Sequence, residues 1–107
     1  MTESEFEGFA GAALAALESA FEEGVPDADG QFKGAGVLEI EFADGSKMII
    51  NRHTAAREIW VAASSGGFHF RYDGRLWRDT REGTELFDAV SRLASQQGGV
   101  PVTLRGA

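Results

Sequence analysis

Glu18, Glu22, Glu23, Asp27 and Asp29 put five carboxylates into one short stretch of the chain. Glu18 and Glu22 are four residues apart. On a helix they are neighbours on one face, where like charges repel. Glu22 and Glu23 fall near the end of the helix predicted below, at the negative end of its dipole, where cations are favoured. Each such placement costs ~0.3–1 kcal/mol when exposed, so lysine is the locally stable choice. The run is either a solvated surface or a ridge kept for cations. Oxygen-only donors suit hard ions such as Fe2+, Fe3+, Mn2+, Mg2+ and Ca2+. Asp27-Ala28-Asp29-Gly30 does not open an EF-hand loop, because Leu38 stands where the bidentate glutamate is needed. No HExxH motif occurs. Any metal site built from these residues is expected to be exposed, shallow and weak.

A second group lies further along. Trp60 falls on the polar side of an alternating segment and is expected to face solvent, where tryptophan is a favoured interface anchor. The alternative is that a neighbouring loop covers it. Asn51 and Arg57 are candidates for polar contacts beside it. His53 and His69 are potential ligands or bases, but a lone histidine on a sheet is by default neither. No serine or cysteine nucleophile is placed against them. The glycines lack phosphate-loop spacing, and no catalytic constellation emerges.

The composition narrows the class further. The 107 residues contain no cysteine, which excludes disulfides, thiolate catalysis and iron–sulfur ligation through thiolates. The formal charge of −7 is unevenly spread. Residues 1–45 carry eleven acids and one base, whereas residues 46–107 carry six acids and nine bases. A polarised acidic chain suits a cationic partner or metal ions, and argues against nucleic acid. No apolar run reaches the ~20 residues of a membrane span. MTESEFEG carries neither a secretory nor a transit pattern, so the expected location is the cytoplasm.

The elements that must position these groups follow from periodicity. Thr2-x-x-Glu5 and Ser4-x-x-Glu7 both have capping-box spacing, predicting a helix from about residue 3. Phe6, Ala10, Ala13, Leu14, Leu17, Ala20 and Phe21 form its apolar stripe. Gly24 and Pro26 end it. A Gly- and Asp-rich linker follows, with a short strand near Gln31-Phe32-Lys33. From Val37 to Trp77 the alternation predicts a meander of short strands.

Leu38, Ile40 and Phe42 point inward, and Asp44-Gly45 marks a hairpin. A three-residue loop sets Leu38 opposite Ile50, Ile40 opposite Met48 and Glu41 opposite Lys47. A slip by one residue would bury Asn51. Ile59 and Val61 face inward in the next strand, and Phe68, Phe70 and Tyr72 in the one after. Leu76-Trp77-Arg78 forms another strand. A second helix is predicted from about Thr84 to Gln97, with Leu86, Ala89, Val90, Leu93 and Ala94 on its apolar side and Asp88 and Arg92 spaced so that they can pair. Gly98-Gly99 stops it. Val100 to Leu104 forms a last short strand or an extended tail. The expected fold is α+β: a single domain over residues 1–107, a two-layer α/β sandwich with both helices on one face of an antiparallel sheet. The other face is open and carries Glu39, Lys47, Ile49, Asn51, Glu58, Trp60, His69 and Arg71.

Gly45-Ser46-Lys47-Met48-Ile49-Ile50-Asn51-Arg52, then Ile59-Trp60-Val61-Ala62, then Gly66-Gly67-Phe68-His69-Phe70 and Trp77, resemble the frataxin family, in particular its bacterial branch. The resemblance runs from Ser4 to the Gln96-Gln97 region. It implies an α–β sandwich that binds iron weakly, as Fe2+ or Fe3+, through carboxylates of the first helix, the following loop and the edge strand. By position these are Glu18, Glu22, Glu23, Asp27 and Asp29. It implies docking on a cysteine desulfurase and other iron–sulfur scaffold proteins, with the exposed sheet contacts falling on Asn51 and Trp60. A monomer is expected, and iron-induced oligomers are left open. Gln31 and Lys33 stand where bacterial relatives often continue the acid series, and Ser19 where a second acid often flanks Glu18. Three roles remain in view: an iron-binding regulator or iron donor, an electrostatic interaction module with incidental metal binding, and, ranked last, a carboxylate ferroxidase.

Overall fold

Thr2 opens the first helix, α1 (Glu3–Gly24), through a closed capping box. Its hydroxyl accepts from the Glu5 N–H at 3.0 Å, and the Glu5 carboxylate accepts from the Thr2 N–H at 2.8 Å. Ser4 lies inside the helix, so only the first of the two spacings is used. All seven residues of the predicted stripe are buried. The helix ends at Gly24, where the Val25 N–H donates to the Phe21 carbonyl. The computed structural model describes residues 1–99 and 101–105.

Six strands follow: β1 (Asp29–Phe32), β2 (Val37–Glu41), β3 (Lys47–His53), β4 (Glu58–Ala63), β5 (Gly66–Tyr72) and β6 (Trp77–Asp79). They form one antiparallel sheet in sequence order. The first hairpin adopts the three-residue loop. Leu38 pairs with Ile50, Ile40 with Met48 and Glu41 with Lys47. Gly45 takes φ +86°, a left-handed value that glycine reaches without a Cβ penalty. The short strand expected near residues 31–33 instead begins at Asp29, which pairs with Glu41.

The second helix, α2 (Leu86–Gly98), starts later than the periodicity suggested. Glu85 is its N-cap, and the Glu85 carboxylate accepts from the N–H groups of Phe87 and Asp88. The Asp88–Arg92 pair that the spacing allows is not among the ion pairs of the described residues. Gly99 closes the helix at φ +77°. Of the predicted terminal segment, Val100 lies outside the described residues. Residues 101–105 form a tail without strand pairing. The tail is fastened to α2 by two serines. The Ser95 hydroxyl accepts from the Val102 N–H and the Ser91 hydroxyl from the Leu104 N–H, each at 2.8 Å.

Both helices cover the same sheet face, and the tail seals the core through Leu104. Phe70 is fully buried, but Phe68 and Tyr72, also expected inward, are half-buried and pack at the margin of the core. The opposite sheet face has no covering layer among the described residues, which leaves the alternate residues of β2 to β5 for other uses.

Candidate functional site

Two regions contain the predicted functional residues. The first is the edge formed by α1, the loop after it and β1. Glu18 is half-buried on α1, Glu22 and Glu23 are exposed in its last turn, Asp27 is exposed in the loop, and Asp29 is exposed at the start of β1. No base occupies the last turn of α1. None of the five carboxylates belongs to an ion pair of the described residues. Asp29 accepts one hydrogen bond, from the Gln31 amide at 3.2 Å.

Glu18, Glu22 and Asp29 line one open recess of about 290 Å3 with Ala28 and Gly30, while Glu23 and Asp27 stand outside it. Among the described residues, no three His, Asp or Glu side chains converge closely enough to hold a metal ion as they stand. The donor set is hard and anionic but not a preformed chelate. It can concentrate cations in its field and give them one or two carboxylates, with water completing the shell.

The second region is the open sheet face. Register puts Trp60 directly between Asn51 on β3 and His69 on β5. Its surroundings correct the simple expectation of a solvent-facing indole. Trp60 is half-buried, and both of its ring faces are covered by imidazoles. His53 stacks at 3.8 Å and His69 at 4.6 Å between ring centroids, each within 11° of parallel. The covering groups are thus two side chains of adjacent strands, not a loop. The Nδ1 atom of His53 is buried and has no hydrogen-bond partner among the described residues.

The indole N–H is fixed as well. It donates to Glu58 Oε1 at 2.9 Å, and Arg71 Nε donates to Glu58 Oε2 at 2.7 Å. Glu58 is only 6% exposed. Its burial pushes the carboxyl pKa up. The hydrogen bonds from Trp60 and Arg71, with the charges of Arg71 and His69, outweigh that and leave it below the usual range. Glu58 thus stays ionised and locks the indole in place. Sequence reasoning put Glu58 on this face without a role. The available signal was its position two residues before Trp60 on one strand, which puts both on the same side.

Arg57 is placed differently from Asn51. It closes a short 3-10 turn (Thr54–Ala56) in a left-handed conformation, φ 55°, and its guanidinium donates back to the Thr54 carbonyl. Asn51 is half-buried beside Trp60, and a small recess of about 210 Å3 opens there between Ile49, Asn51, Trp60, Ala62 and His69.

Comparison with known proteins agrees with this architecture along nearly the whole chain. The family model described as Frataxin-like domain matches residues 1–100. The iron-sulfur cluster assembly protein CyaY of Dechloromonas aromatica is 55% identical over 105 residues, covering 98% of this chain and 100% of that protein. The protein of the same name from Cupriavidus metallidurans is 50% identical over 108 residues, covering 98% and 97%. Among solved structures, frataxin from Psychromonas ingrahamii superposes with a TM-score of 0.87 at 31% identity, covering 96% of this chain and 97% of that one.

Proposed function

Because this chain belongs to the frataxin family, we propose that it serves iron–sulfur cluster assembly as an iron-binding regulator or iron donor that docks on a cysteine desulfurase and its scaffold. The observation that carries this reading is the set of carboxylates at the α1–β1 edge, kept without counter-ions among the described residues where helix electrostatics favours the opposite charge. Iron is cargo here. Glu18, Glu22 and Asp29 supply the recess, and Glu23 and Asp27 extend its field. Weak, exchangeable binding suits a carrier, and the lack of thiols means that a cluster must be built on another protein.

The same edge attracts a basic partner surface, while Trp60 and Asn51 on the open face give a second contact. Arg57 contributes less, since its guanidinium is engaged by its own turn. We read the protein as a binder rather than a ferroxidase. Exposed carboxylates that do not converge cannot hold two metals in the defined geometry that such oxidation requires.

The test is an anaerobic Fe2+ titration followed by amide NMR, with a cysteine desulfurase pull-down in parallel. Signal loss confined to the region of residues 18–30 is expected. Loss centred on His53 and His69, with the ridge silent, overturns the site. A desulfurase captured equally by wild type and by a variant with Glu18 and Glu22 both changed to lysine overturns the docking role of the ridge.

A further inference from the structure

The open face is not uniformly acidic. Its carboxylates Asp29, Glu39 and Glu41 lie on β1 and β2, and the fourth, Glu58 on β4, is buried. At the other edge, register sets Arg71 of β5 directly opposite Arg78 of β6. Like charges placed opposite each other across a strand pair are destabilising. Each guanidinium is nevertheless held in place. Arg71 Nε donates to Glu58, and Arg78 Nε donates to Asp73 Oδ2 at 2.9 Å. The Arg71 terminal amino groups donate no hydrogen bond among the described residues, and its side chain is 68% exposed. Glu58, the acid beside it, is buried and already accepts two hydrogen bonds.

The neighbouring rows add shape. Two residues along β4 and β5 from the Glu58–Arg71 row come Trp60 and His69, and two further come Ala62 and Gly67. The apolar recess opens beside these last rows. At 3.2–3.4 Å per residue, the recess end and the arginine pair are about 13 Å apart. Trp60, with both faces covered, offers a partner only its ring edge.

We propose that this part of the open face receives an acidic segment of a partner protein, with a carboxylate on the Arg71–Arg78 pair and an aliphatic side chain in the recess beside Trp60. The inference rests on the reading of the open face as a docking surface and names the chemistry of what docks. The partner met here differs from the basic surface attracted by the ridge, so one molecule can bridge two unlike surfaces.

The probe is the capped peptide Glu-Glu-Gly-Ser-Gly-Leu, in which the second glutamate and the leucine are four residues, about 13 Å, apart when extended. It is titrated into the full chain at low salt, with capped hexalysine as counterpart. The acidic peptide should shift the amides of β4, β5 and β6 and the Trp60 indole N–H, while hexalysine shifts the α1–β1 edge. Arg71→Gln should weaken the acidic peptide roughly three- to fivefold, the range of an exposed ion pair. Continued binding of hexalysine shows that the variant is folded. Replacing the peptide leucine by serine should weaken it by a similar factor. The inference is overturned if the acidic peptide shifts nothing on this face or binds Arg71→Gln equally well. Failure here, with desulfurase capture still dependent on Trp60, leaves the docking reading intact. The reverse pattern removes the docking reading and keeps the acidic-segment site.

Discussion

At the scale of single residues, Glu58 governs the open face. It is the acceptor for both the Trp60 indole and Arg71, so its removal frees the two side chains at once. Glu58→Ala is expected to lower stability by about 1–3 kcal/mol, the cost of leaving donors without their acceptor in a partly buried site. It should also broaden the Trp60 indole N–H signal, while iron titration of the distant ridge is unchanged. Denaturant unfolding and NMR of the variant check both. The pH dependence follows from the same contacts. The folded carboxyl is held below its ordinary value near 4.3. Its contribution to stability is therefore complete above that unfolded value and lost as pH falls through the folded one. The Trp60 indole N–H should hold its position through the ordinary carboxylate range and move only as pH falls below it. In Arg71→Gln the transition should shift to higher pH, because a charge and a donor that favour the ionised form are gone. The His53–Trp60–His69 stack was not legible in the sequence. It needs the register of three strands at once, whereas alternation shows only which side of one strand a residue takes.

At the scale of elements, the helix and hairpin signals were local and came through in the fold. The Thr2–Glu5 box, the apolar stripe of α1 and the Asp44-Gly45 loop each involve residues within a few positions of one another. The readings that shifted depended on tertiary pairing. β1 begins at Asp29 because β2 offers it a partner as far as Glu41, and α2 starts only after Glu85, which bridges to Arg78 of β6 and caps the helix although its type is less favoured there than threonine. The five carboxylates were legible as a cluster in the chain, but not their division, with three around a recess and two outside it. The last turn of α1 permits a direct test of why the acids are there. Glu22 and Glu23 oppose the helix dipole without a compensating base. Glu22→Lys and Glu23→Lys should each raise stability by ~0.3–1 kcal/mol, seen as a higher denaturant midpoint, while weakening Fe2+ binding. A variant that loses stability while binding iron as well as wild type would mean that the acids serve the fold rather than the ridge.

At the scale of the whole molecule, the strand order turns a sequence asymmetry into a spatial one. The sheet runs β1 to β6 in chain order, so the acidic strands β1 and β2 form one edge and β5 and β6, with Arg71 and Arg78, the other, while α1 crosses the sheet and sets its first turns against Tyr72 and Trp77. Carboxylates outside any ion pair of the described residues therefore gather at one limit of the sandwich, with Glu18, Glu22 and Asp29, and arginines at the other, where Arg71 is paired with Glu58 and Arg78 with Asp73. A molecule polarised in this way orients itself in the field of a charged partner before contact, which acts on the rate of association more than on the lifetime of the complex. The screening length falls from ~10 Å at 0.1 M salt to ~3 Å at 1 M, well inside the 38 Å long axis of the molecule. Raising salt over that range should therefore slow association with the desulfurase by about tenfold or more, with a much smaller change in dissociation, as read by stopped-flow or surface binding kinetics. If salt instead speeds dissociation and spares association, the carboxylates act as short-range contacts within the interface, and the separation of charge between the two edges plays no part in bringing the partners together.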